Sequence, residues 1–226
     1  MSRLILHGHL FSQPVRTCLW ALRTLGVQHK FQSHELFVDT RSHKFTKNIN
    51  IFGKVPVLDI DGTLITQSNT ILRYIANEYD TEGDLLPRDN NLKRAKAEEI
   101  MDICATNLRT ATMGACNPIA ILPMFMGEEK IDKNGEMLAM GSVRRTLDLL
   151  TQKLADKPFF TGEKMYVGDV HIYNELMTAE SLLNLNLAKD HLKLKKFFDR
   201  VEEDDKITEI KKEAHELWDS FIESKK

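Results

Sequence analysis

One serine, Ser12, stands in the run Phe11-Ser12-Gln13-Pro14-Val15-Arg16, between the apolar stretch Leu4-Ile5-Leu6 and a helix that opens with proline. That order reads as a strand, a tight loop and a helix N-terminus, where backbone N–H groups and the helix dipole favour an anion. A hydroxyl placed there is a donor suited to a thiolate. The same serine can also serve only as a cap for the helix behind it. Two further segments carry binding chemistry. Val55-Pro56 opens an apolar run, as proline does best at the start of a strand. Gln67-Ser68 brings an amide, a hydroxyl and backbone N–H groups to another helix start, with Ser68 expected as its N-cap.

The energetics of thiolate stabilisation are within reach of one hydroxyl. An unperturbed thiol has a pKa of about 8.5, and bringing it to about 7 requires roughly 2 kcal/mol of preference for the anion. A hydrogen bond to a charged group supplies about 1.5–3 kcal/mol. Ser12 is then a donor to a sulfur anion, with no histidine at a recognisable spacing to make it a nucleophile.

Composition removes other classes. The 226 residues carry a net charge of −2, which gives no field for nucleic acid or an anionic membrane. There is no run of about 18 apolar residues and no signal-peptide pattern at the N-terminus, so a cytoplasmic protein is expected. Cys18, Cys104 and Cys116 form no C-x-x-C, and the eight histidines form no H-E-x-x-H. Neither a disulfide framework, a zinc site nor any other metal centre is expected.

The elements that must position these residues change character along the chain. Leu4 to Leu6 is a first strand, and Pro14 to Leu25 is a helix stopped by Gly26, with Val15, Cys18, Leu19, Leu22 and Leu25 on its apolar face. A second strand is expected over Phe31 to Leu36. Val55 to Ile60 and Thr63 to Thr66 form a hairpin across Asp61-Gly62, the dipeptide of a type I′ turn. A helix burying Ile71, Leu72 and Ile75 follows. This βαβ-ββα order gives an α/β, thioredoxin-like N-terminal domain on a four-stranded mixed sheet over residues 1–80. Residues 81–91 read as a linker, and 92–226 as an all-helical domain. Its helices are expected over Leu92 to Thr112, Met137 to Leu154, Val170 to Leu183, Leu192 to Val201 and Ile207 to Ile222. Gly114 to Asn134, with Pro118, Pro123 and Gly127 among apolar residues, reads as broken backbone over a core or along a pocket wall.

A thioredoxin-like domain commonly places a redox C-x-x-C after its first strand, and here that position holds no cysteine. Instead the Ser-Gln-Pro-x-Arg run, Gly53-Lys54-Val55-Pro56-Val57, Gln67-Ser68 and Ile71-Leu72-Arg73-Tyr74-Ile75 together resemble a glutathione S-transferase, of the theta class in the first of these. The resemblance is strong to about Tyr79 and extends, more weakly, over nearly the whole chain. It implies an enzyme that adds the glutathione thiolate to small hydrophobic electrophiles, with glutathione as cosubstrate and no cofactor. It implies Ser12 as the thiolate donor and a cis Val55-Pro56 bond whose Val55 backbone pairs with the cysteinyl unit. Gln67 and Ser68 would take the γ-glutamyl carboxylate and Lys54 the glycine carboxylate, with Arg41 or His43 as further candidates. Arg109 matches an arginine that can reach the active site, and Asp102 an aspartate that reaches glutathione in the other subunit of a homodimer. Leu10, Phe11, Met113 and the segment from Gly114 to Phe125 would line the electrophile pocket. Two departures stand out: Gln67 replaces the Glu usual in the theta class, and Tyr166 replaces the Ser or Thr that caps a later helix beginning near Asp169. A chain shorter than the longer theta enzymes points to a more open pocket. Rival expectations are a non-catalytic binding or scaffold protein of the same fold, and a glutathione-dependent peroxidase or isomerase.

Overall fold

The structure, a computed structural model, describes residues 3–223. It divides into two compact units. The first comprises the chain up to Leu86 together with the segment from Glu202, and the second is Pro87–Val201.

In the first unit, β1 (Leu4–Gly8), β2 (Lys30–Ser33), β3 (Val57–Ile60) and β4 (Thr63–Thr66) form one sheet in the order β2-β1-β3-β4. β1 runs parallel to β2 and antiparallel to β3, and β3 pairs antiparallel with β4. The helices are α1 (Gln13–Thr24), α2 (His43–Asn48) and α3 (Ser68–Tyr79). Leu6, Leu58, Val15, Leu19, Leu22, Ile71, Leu72 and Ile75 are buried together as the core. This is the mixed four-stranded α/β unit expected from the element order.

Local chemistry explains the boundaries. α1 ends in a Schellman motif: Gly26 N–H donates to Arg23 C=O at 3.1 Å and Val27 N–H to Leu22 C=O at 2.9 Å, while Gly26 takes φ +62°. Asp61 and Gly62 both have positive φ, 51° and 93°, which is what a two-residue hairpin turn demands. β2 is shorter than expected, ending at Ser33 rather than Leu36, because Glu35 N–H turns back onto the Asp39 carboxylate at 2.9 Å. Ser68 is not the N-cap of α3 but its first residue; Gln67 holds the cap position.

The expected linker is also less uniform than its composition. Asp80 is buried and its carboxylate accepts the N–H groups of Asp84, Leu85 and Leu86, so Leu85 and Leu86 are fully buried. The change of unit falls after Leu86.

The second unit is helical: α4 (Asn91–Ile103), α5 (Arg109–Cys116), α6 (Leu122–Met126), α7 (Lys133–Leu154), α8 (Val167–Leu183), α9 (Leu187–Asp190) and α10 (Leu192–Val201). The single helix expected over Leu92 to Thr112 is interrupted by a wide π turn, Cys104–Leu108. A second π turn, Asn117–Ile121, carries the chain into α6, so most of the segment expected to be broken is helical. A wide turn eases the clash of the Pro118 ring with the preceding carbonyls. Gly127, at φ +68°, ends α6 by donating to Pro123 C=O at 3.2 Å. Tyr166 holds the N-cap position of α8 and is tied there by Asp169, whose carboxylate accepts Tyr166 N–H at 3.0 Å and Phe160 N–H at 2.8 Å.

The last helix, α11 (Asp205–Glu223), was expected in the helical domain but lies in the first unit, packed on α1. Trp20 Nε1 donates to the Asp204 carboxylate at 3.2 Å, and Arg23 makes a two-pronged bond to Glu213 at 2.7 and 2.9 Å. Amphipathic spacing told which face of this helix would be buried, not against what.

Candidate active site

Sheet register assembles the first unit's candidates. His7 pairs with Val57, Val57 with Thr66, and Gly8 with Ser33, so these residues form a row across one end of the sheet. The segments that continue from that row are Leu10-Phe11-Ser12 after β1, Lys54-Val55-Pro56 before β3 and Gln67-Ser68 after β4. Neighbouring strands lie about 4.8 Å apart, so the three segments are adjacent. Gly8 is required at the row: a Cβ there would fall 2.4 Å from Val15 Cγ1, where α1 meets the strand.

Ser12 occupies the N-cap position of α1 with extended backbone, φ −83° and ψ 116°, and its side chain makes no cap bond. The capping work is done by its main chain: Ser12 C=O accepts Val15 and Arg16 N–H, each at 3.1 Å. The hydroxyl is therefore not committed to the helix it precedes. Ser12 is 8% exposed, a partly desolvated position in which a charged hydrogen bond counts for more than in water.

Around it the loop is tied at several points. Ser12 N–H donates to His9 C=O at 2.9 Å, and buried Arg16 reaches back to Leu10 C=O at 2.7 Å. Phe11 packs edge-on against Trp218 and Phe221 of α11, with centroids at 5.2 and 5.8 Å. A groove of about 480 Å3 opens beside the loop, lined by Leu10 and Phe31 with Ser33, Glu216, Leu217 and Ser220.

The Val55-Pro56 peptide is cis, and β3 begins two residues later than expected, at Val57. Lys54 is exposed, and its C=O accepts from Asn50 Nδ2 at 2.7 Å, which fixes the turn that carries it. Gln67 has φ 70° and ψ 116°, a region that residues with a Cβ avoid, while its C=O accepts Ile71 N–H to open α3. Strain of this kind at a helix start is found where a backbone is held ready for a ligand. Nearby, His7 Nδ1 and His34 Nε2 share a hydrogen bond of 2.9 Å, and burial pulls both rings below the usual histidine range. Arg41 lies over the Phe37 ring at 5.1 Å.

The remaining candidates belong to the second unit. Asp102 is exposed near the end of α4, and Met113 is half-buried on α5. Arg109 forms an ion pair with Glu175 of α8, whose side chain is fully buried, and Thr112 Oγ1 donates to the same carboxylate at 3.2 Å. Glu175 was not singled out by the sequence, since its partner is 66 residues away. His9, Arg16 and Asn50 were missed as well; of these only Arg16 lay within a recognised run.

Residues 6–83 match the glutathione S-transferase N-terminal domain and residues 117–213 its C-terminal domain. The chain belongs to the glutathione S-transferase family. Human glutathione S-transferase theta-2B is 27% identical over 219 residues, covering 95% of this chain and 86% of that protein. Among solved structures, apo human glutathione S-transferase T1-1 superposes with a TM-score of 0.85 at 25% identity, covering 95% of this chain and 88% of that one. A human theta-class enzyme in complex with the glutathione conjugate of 1-menaphthyl sulfate gives 0.83 at 25% identity, covering 95% and 86%. As an enzyme of this family the chain carries its N-terminal signature on the described sheet. No helix among the described residues is long and apolar enough to cross a membrane.

Proposed function

We propose that this transferase binds glutathione at the end of the sheet where the three segments converge, and adds its thiolate to small hydrophobic electrophiles. The observation that carries the proposal is the Ser12 hydroxyl, which stands at the start of α1 without serving as its cap. In this scheme Ser12 donates to the thiolate, and the α1 N-terminus adds a favourable field. The Val55 backbone aligns the cysteinyl unit, Gln67 and Ser68 take the γ-glutamyl carboxylate at the α3 N-terminus, and Lys54 meets the glycine carboxylate. Catalysis needs no cofactor, since the reacting sulfur arrives with the cosubstrate.

The electrophile lies against Leu10 and Phe11. Arg109, held by Glu175, is a positioned cation of the helical unit. The human relative with a bound conjugate of 1-menaphthyl sulfate supports an apolar electrophile here. The working form is a cytoplasmic homodimer in which Asp102 reaches the glutathione of the partner subunit.

The test is Ser12→Ala, with the bound thiol titrated by its ultraviolet thiolate absorbance. Loss of one charged hydrogen bond, about 1.5–2 kcal/mol, raises that pKa by about 1 to 1.5 units. An unchanged thiolate fraction and unchanged turnover would remove Ser12 from its role.

A further inference from the structure

The loop that presents Ser12 is a four-residue turn, closed by Ser12 N–H onto His9 C=O at 2.9 Å. Inside that turn Phe11 N–H donates to the Nδ1 atom of His9 at 3.2 Å. A side chain at the first turn position that accepts the N–H two residues on is the arrangement Asp and Asn use in an Asx turn. Here an imidazole does it. The acceptor must be a bare Nδ1, which fixes the ring as neutral with its proton on Nε2.

The same ring has a second contact. It meets the Phe11 ring edge-on with centroids at 4.7 Å and an interplanar angle of 63°, and Phe11 in turn meets Trp218 and Phe221. One side chain therefore sets both the amide of the residue before Ser12 and the face that residue shows to α11. Burial keeps His9 below the usual histidine range, in keeping with a neutral ring. Neither the Ser-Gln-Pro-x-Arg run nor any spacing of histidines calls for this residue.

We propose that His9 is a positioning residue that pins the Ser12 turn through Phe11 N–H and so holds the serine hydroxyl on the glutathione sulfur. This rests on the proposed function for its catalytic meaning, although the pin itself does not. A pinned turn keeps Oγ within hydrogen-bond reach of one point; an unpinned turn spends part of its time elsewhere, and the anion is stabilised only for the remainder.

The experiment compares His9→Leu, which fills the space without an acceptor, with His9→Asn, whose Oδ1 restores the Asx turn. Amide hydrogen exchange at Phe11 and Ser12 is followed by NMR in the protein without glutathione, and thiolate absorbance and kcat/KM are measured with it. His9→Leu should speed Phe11 exchange about tenfold or more, raise the pKa of the bound thiol and lower kcat/KM about tenfold. His9→Asn should return all three towards the parent. Equal exchange in the parent and His9→Leu overturns the pin, as does an Asn variant no better than Leu. Protected exchange in a parent protein that fails to ionise glutathione leaves the pin standing and overturns the proposed function.

Discussion

His171 sits in α8 with its ring fully inside the helical unit, and neither ring nitrogen has a hydrogen-bond partner among the described residues. Burial, reinforced by the Arg109 charge and opposed by Asp102, pushes its pKa down from 6.5 to about 3. An unfolded chain takes up this proton near pH 6.5, whereas the folded one holds it off until about pH 3. Below pH 6.5 the unfolded state therefore binds more protons, and stability falls as pH falls. Between about pH 7.5 and about pH 5 the ring alone should remove about 2 kcal/mol, since each unit below 6.5 is worth about 1.4 kcal/mol. The perturbation is His171→Leu, which replaces the imidazole with an apolar side chain of similar size. At neutral pH the exchange should be close to neutral or stabilising, because a buried polar ring without partners is removed. The assay is urea unfolding of both proteins at the two pH values. The parent should lose about 2 kcal/mol more than the variant on acidification, a difference of about 1 M in midpoint for a slope of about 2 kcal/mol per M. Parallel acid losses in the two proteins would refute the assignment, and a variant several kcal/mol weaker at neutral pH would show that the ring makes bonds essential to the unit.

Substitutions at two other positions, Asp169 and Glu213, test the surrounding frame. Asp169→Ala removes the acceptor for Phe160 and Tyr166 N–H and should cost about 2–4 kcal/mol in urea unfolding, from two orphaned amides and a lost cap. Burial raises the pKa of Asp169 to about 6, so its sign is opposite to that of His171: the folded state binds more protons from about pH 4 to 6, and stability falls as pH rises through that window. Asp169→Asn should flatten that part of the stability profile while keeping one acceptor oxygen. Glu213→Gln breaks the partly exposed pair with Arg23 and should cost no more than about 1 kcal/mol, read as a small drop in thermal midpoint.

What the sequence disclosed follows from how local each signal is. Pro14 and Gly26 delimit α1, and Asp61-Gly62 makes the hairpin, because each acts through its own φ angle. The serine, the proline and the Gln67-Ser68 pair lie on segments that strand register makes neighbours, whereas in the sequence only the resemblance to a family grouped them. The strained φ of Gln67 was invisible, since no local sequence pattern marks a residue with a Cβ for that region. The π turns at Cys104–Leu108 and Asn117–Ile121 blur into ordinary helical periodicity at one end and into apparent breakage by proline at the other. Glu175 and the side of α11 depend on partners far along the chain, and no short-range pattern encodes those. His9 was missed because an imidazole seldom does the work of a carboxylate in a turn.

The helix Asp205–Glu223 leans on Trp20 and Arg23, residues that leave the ribosome about 180 positions earlier at a pace of about 5–20 residues per second. The amino-terminal fold must therefore wait, for about ten seconds or more, with the flank of its first helix uncovered, until this helix has been made. Cutting the protein at the boundary suggested by its linear order would leave that flank bare permanently, whereas a circular permutant joining the final helix directly to the first strand would deliver both partners together.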